Sequence, residues 1–200
     1  MKLKTAVLLV NLGTPDSPSV KDVRKYLFEF LNDPRVIDIP TLARWFLVNL
    51  IIVPFRAPKS AKIYQELWIN NGLPDGRKGS PILYYGQSVH EKLQKSLGNN
   101  FDIYLAMRYK NPSIESVLSD MYKKYYEKII VIPLFPQYAS ASTGSVTEKV
   151  MKIISKWWTI PEIKFISQFY NDEGFINTIV ERAKKYNVDE YDHVLFSYHG

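Results

Sequence analysis

The chain has 200 residues, 46% hydrophobic and 23% charged, the balance of a globular protein with room for one large domain or one domain and part of another. It contains no cysteine, which excludes disulfides, thiolate metal sites, iron–sulfur ligation within this stretch and cysteine nucleophiles, and fits a reducing cytoplasm. A formal charge of +6 admits nucleic acid, an anionic membrane surface or an acidic ligand, but the lysines are scattered, no nucleic-acid motif is present, and no nucleic-acid partner is expected.

The first residues, MKLKTAVLLVNLGTP, pair two lysines with a short apolar run. No small-residue cleavage site follows, and NLGTPDSP reads as a turn, so a buried strand over Thr5 to Leu12 is expected instead of a signal peptide. Ser19 is placed to cap a helix whose apolar residues Val20, Val23, Leu27, Phe30 and Leu31 recur at helical spacing, with Asn-Asp-Pro as its stop. The segment Leu42 to Phe55 is strongly apolar but too short to span a membrane, and it carries Arg44 and Asn49. It is either a core helix or an exposed apolar lip for a greasy ligand or a membrane surface. A helix over 58–69, a Gly/Pro/Asn loop and a second helix over 81–97 follow. From Phe101 the chain alternates: strands over 101–108, 128–136, 162–170 and 192–200, with helices over 112–126, 144–158 and 173–186 between them. Such alternation predicts an α/β fold, a parallel sheet flanked by helices with right-handed crossovers.

In an open parallel sheet, ligands bind beyond the carboxyl ends of the strands. Those ends deliver Asn11, Gly13 and Thr14; Arg108, Tyr109 and Lys110; Gln137 and Tyr138 followed by ASASTGS; Gln168 to Tyr170; and Ser197 to His199. The set offers one imidazole, cations, aromatic rings and hydroxyls, but no clear carboxylate pair. It suits a flat apolar ligand with acidic groups at its rim. Nucleotide fingerprints are absent.

Each residue also has a plainer reading. His199 could be structural, a proton acceptor or a metal ligand. Arg108 and Tyr109 could close a strand and pair with a nearby carboxylate. Arg56 and Lys59 could be solvated helix-start charges, and Ser80 only the N-cap of the helix at Pro81. STGS could be a capping turn whose backbone N–H groups would also hold an anion.

Several stretches together resemble ferrochelatase: LLVNLGTPDSP, YLFEFLNDPRVID, RAPKSAKIY, GSPI, AMRYKNPSIES, PLFPQYASASTGS and LFSYHG, in family order and across nearly the whole chain. The resemblance implies a chelatase-like fold of two Rossmann-like α/β domains with a porphyrin cleft between them. Here that means an N-terminal domain over 1–158 and the start of an incomplete second domain over 159–200, because full members continue well past SYHG. It also implies a cytoplasmic enzyme that inserts ferrous iron into protoporphyrin IX, with Fe²⁺ as substrate and no tightly bound cofactor in this stretch.

His199 is then the central histidine, as proton acceptor, metal ligand or both. Arg108 and Tyr109 match residues lining the cleft near the metal. Leu12, Gly13 and Thr14, with Gln137 and Tyr138, match loops at its floor. Arg56, Lys59, Tyr64 and Ser80 match the propionate region, and Leu42 to Phe55 matches the apolar lip, where peripheral membrane contact is expected. The competing readings are a coproporphyrin or cobalt chelatase and a non-catalytic porphyrin or haem carrier.

Overall fold

The computed structural model describes residues 5–69 and 79–197. Strand β1 (Thr5–Gly13) lies at the centre of a four-stranded parallel sheet ordered β2 (Phe101–Tyr109), β1, β3 (Lys128–Pro133), β4 (Glu162–Phe165). A central parallel strand is covered on both faces, which is why 6–10 is an unbroken apolar run, buried throughout. Ala6, Leu8 and Val10 pack on one face with Leu118 and Met121 of α5 (Ile114–Tyr122) and Val146 and Val150 of α6 (Ser145–Ile154). Val7 and Leu9 pack on the other, where Leu93 and Leu97 of α4 (Pro81–Leu97) cover them. Each buried Leu or Val contributes roughly 1.5–3 kcal/mol of transfer free energy.

The helix after β1 forms as its sequence dictates. The Ser19 hydroxyl accepts from the Asp22 N–H at 3.2 Å, and α1 (Val20–Leu31) buries Val23, Tyr26, Leu27 and Leu31 on one stripe. That stripe meets a long helical stretch: α2 (Thr41–Phe46), a π-helical segment (Leu47–Ile52) and α3 (Val53–Leu67). Tyr109, at the carboxyl end of β2, closes this second cluster.

The long stretch decides between the two readings of 42–55. Leu42, Trp45, Phe46, Leu50, Ile51 and Phe55 are exposed, Leu42 and Phe55 at 71% and 73%. Only Val48, Val53 and Arg44 are buried within it. Arg44 turns inward and donates to the carbonyls of Ile39 at 2.8 Å and Ile37 at 3.3 Å. The result is an apolar ridge, not a core helix. No helix among the described residues is long and apolar enough to cross a membrane.

Several boundaries differ from expectation. Pro58 lies inside α3 instead of opening a helix, because helical backbone already runs into it from the π-helical segment. β4 ends at Phe165, and α5 and α6 stop at Tyr122 and Ile154, short of the predicted limits. α7 (Glu173–Lys184) follows, capped by Asp172. The predicted strand over 192–200 is not formed in its described part, 192–197, where Leu195 is 93% exposed. An apolar run specifies a strand only where a sheet edge and a packing layer receive it, and 192–197 meets neither.

Candidate functional site

The carboxyl ends of β1 and β2 meet because the two strands pair in register, with Gly13 opposite Tyr109. Gly13 sits at φ +121°, and a Cβ there would lie 2.0 Å from the Tyr109 carbonyl oxygen. Only glycine permits both that backbone conformation and that approach. Thr14, the next residue, is buried and donates to the Ser80 hydroxyl at 2.7 Å. Ser80 occupies the N-cap position of α4, yet its side chain makes no capping bond; it is spent on Thr14. The expectation that Ser80 is only a cap is therefore corrected. Leu12 packs half-buried against the cluster of α1 and α3.

Arg108 and Tyr109 are tied to a carboxylate that sequence reading missed. The side chain of Asp33, in the turn after α1, is 4% exposed. Its Oδ2 accepts from Arg108 Nη2 at 2.5 Å, from the Tyr109 hydroxyl at 2.8 Å and from the Ser145 hydroxyl. Its Oδ1 accepts from the Arg35 backbone N–H at 2.8 Å. Arg108 Nε donates to Ser145 Oγ at 2.6 Å. Burial pushes the Asp33 carboxyl up, but the bonds from Ser145, Arg35 and Tyr109, with the Arg108 charge, outweigh it and hold the group below its ordinary value. Burial pushes the Tyr109 phenol far up, so it stays protonated and donates.

The Tyr109 ring is fully buried, edge-on to Phe30 at 5.2 Å, with the Arg108 guanidinium 4.5 Å from its centroid. Arg108 and Asp33 border an open cavity of about 400 Å³ with Asn32, Glu148 and Lys152. Glu148 on α6 pairs with both Arg35 and Lys152, which joins the Asp33 turn to that helix.

The remaining predicted residues are dispersed. Arg56 and Lys59 are exposed on α3. Tyr64, on the same helix, packs edge-on to Tyr26 at 6.1 Å, and burial raises its phenol, with Tyr26 and Arg56 opposing the rise. Gln137 and Tyr138 are exposed after β3, Tyr138 beside Gly144. The predicted STGS capping turn is a π-helical turn (Ser140–Gly144) without a side-chain cap, and the Thr143 hydroxyl within it is buried with no hydrogen-bond partner. His199 lies outside the described residues. His90 on α4 has Nε2 3.0 Å from the Ile103 carbonyl oxygen. Among the described residues, no group of three or more His, Asp or Glu side chains is arranged to hold a metal ion.

These features define an α/β protein with a polar site beyond the carboxyl ends of its central parallel strands. The chain matches the Ferrochelatase family over residues 4–200. It is 45% identical over 198 residues to a ferrochelatase of Legionella pneumophila (strain Paris), covering 99% of this chain and 57% of that protein. It is 43% identical over 199 residues to one of Coxiella burnetii (strain RSA 493 / Nine Mile phase I), covering 98% and 53% respectively. The chain belongs to the ferrochelatase family, and it spans about half the length of the curated relatives it matches.

Proposed function

We propose that the full protein carrying this chain is a ferrochelatase that inserts Fe²⁺ into protoporphyrin IX, the last step of haem formation. The family match over 4–200, with relatives named ferrochelatase, carries this reading. The chemistry asks for three things. The macrocycle must be gripped in a puckered form that exposes nitrogen lone pairs. Its two inner N–H protons must reach a base. The metal must arrive as they leave, so that one dication replaces two protons.

His199 is the proposed proton acceptor or metal ligand. Arg108 and Tyr109 would border the cleft near the metal, Leu12 to Thr14 and Gln137–Tyr138 its floor, and Arg56, Lys59, Tyr64 and Ser80 the acidic rim of the ligand. The apolar ridge over 42–55 is the proposed lip, and its outward side chains suit peripheral contact with a membrane surface for a protein that otherwise resides in the cytoplasm. The division at residues 158 and 159 belongs to the same proposal; β4 beyond it extends the sheet of β1 to β3.

One assay with the full-length protein tests the substrate assignment: ferrous iron and cobalt, each with protoporphyrin and coproporphyrin. Preference for iron and protoporphyrin is expected. Preference for cobalt or coproporphyrin, or stoichiometric binding without insertion, would move the protein to another chelatase or to a carrier.

A further inference from the structure

We infer that Asp33 is the positioning residue of this site: it fixes the guanidinium of Arg108 in place for the ligand. The inference rests on the proposed reading of Arg108 as a cleft residue, and its own ground is geometric. Four donors meet one carboxylate: Arg108 Nη2, the Tyr109 and Ser145 hydroxyls, and the Arg35 backbone N–H. Ser145 has one proton. Its oxygen accepts from Arg108 Nε while its proton goes to Asp33. Four hydrogens therefore converge on Asp33, and an ionised carboxylate, which only accepts, satisfies all four.

Arg108 is held at two of its three nitrogens, Nε by Ser145 and Nη2 by Asp33. Its Nη1 makes no hydrogen bond to another described residue. A guanidinium clamped along one edge keeps its other edge in a fixed direction, which is what a ligand-binding arginine requires. The clamp is assembled from three places: the turn after α1, the end of β2 and the start of α6. Arg108 and Ser145 lie 75 and 112 positions from Asp33, so no local segment could hold the guanidinium by itself. An amide at position 33 would turn an N–H toward one of four donors and leave the part-buried Arg108 charge uncompensated.

The test uses the full-length protein and its Asp33→Asn, Arg108→Met and double variants. The first readout is the Arg108 Nε–H signal in nitrogen-15 NMR. It should be protected from solvent exchange in the parent and lost in Asp33→Asn. The second is zinc insertion into protoporphyrin. Asp33→Asn should raise KM about tenfold, but within the Arg108→Met background it should change KM by less than about twofold, because the residue acts through Arg108. Leu118→Ala, a buried deletion at α5, should lower the melting temperature and leave KM unchanged, which separates positioning from general destabilisation.

An unchanged Arg108 signal in Asp33→Asn overturns the inference, as does an equal KM effect with and without Arg108. If Asp33→Asn does not fold, Ser145→Ala enters the same cycle, with an expected KM rise of about threefold that vanishes without Arg108. If the parent inserts no zinc, the chelatase reading fails, and the NMR signal alone decides whether Asp33 holds Arg108.

Discussion

The hydroxyl of Thr14 donates to the hydroxyl of Ser80 at 2.7 Å, across 66 positions of sequence and with both residues buried. The bond joins the turn after β1 to the residue before α4, and so ties the strand end to the helix that covers the other face of the sheet. Ser80→Ala should leave the Thr14 hydroxyl buried without its partner, at a cost of about 1–3 kcal/mol. Thr14→Val with Ser80→Ala should cost less than the sum of the two single changes, since the pair is removed together. Urea unfolding of the four proteins measures this; strict additivity would show that the bond contributes nothing.

Gly13 permits the pairing of β1 and β2 to continue to its end. Gly13→Ala adds a Cβ 2.0 Å from a backbone oxygen at a φ of +121°, and backbone cannot yield as a flexible side chain can. A loss on the order of 3–5 kcal/mol is expected, with poor soluble yield. A variant that melts within a degree or two of the parent would mean that the strand ends do not meet as described.

Acid should loosen the cluster around Asp33. Its folded pKa is held below the ordinary value, so the stability it contributes is complete above the unfolded pKa of about 3.9 and is lost as pH falls through the folded value. Asp33→Asn should flatten the acid limb of the stability curve below about pH 5 while lowering stability at neutral pH. Denaturation midpoints from neutral pH to about pH 3 follow this. Parallel acid limbs for the two proteins would remove Asp33 from the account.

The ridge over 42–55 makes a different prediction, because its outward side chains hold little of the fold. Leu50→Ser and Phe55→Ser, at residues 58% and 73% exposed, should change stability by no more than about 0.5 kcal/mol. Together they should reduce co-sedimentation with anionic phospholipid vesicles several-fold. Undiminished sedimentation would confine the ridge to ligand contact.

What could be read from sequence followed the range of the forces involved. β1 was legible because burial on both faces leaves an unbroken apolar run, and α1 because its cap and stripe are local. The Asp33 cluster was not. Asn-Asp-Pro reads as a helix stop, and nothing local separates an acid that ends a helix from one that accepts three side chains brought from distant positions. The only signal was indirect: Arg108, at a strand end, needed a counter-charge. The strand expected at the chain's end misled for the converse reason, since a hydrophobic run states a preference and not the partner that satisfies it. Exposure of the 42–55 ridge was one of two readings, and no periodicity could choose between them; Arg44, in sequence only a charge within an apolar run, is the anchor that turns inward.

Zinc insertion into protoporphyrin by the full-length protein, followed by fluorescence beside its His199→Ala variant, shows whether His199 stands at the centre of metal insertion. Zinc avoids the oxidation of ferrous iron. Rapid insertion by the parent is expected, with a fall of about 100-fold or more in the variant, the scale of a lost general base. Near-parental insertion by His199→Ala, or tight porphyrin binding without insertion in either protein, would contradict that role.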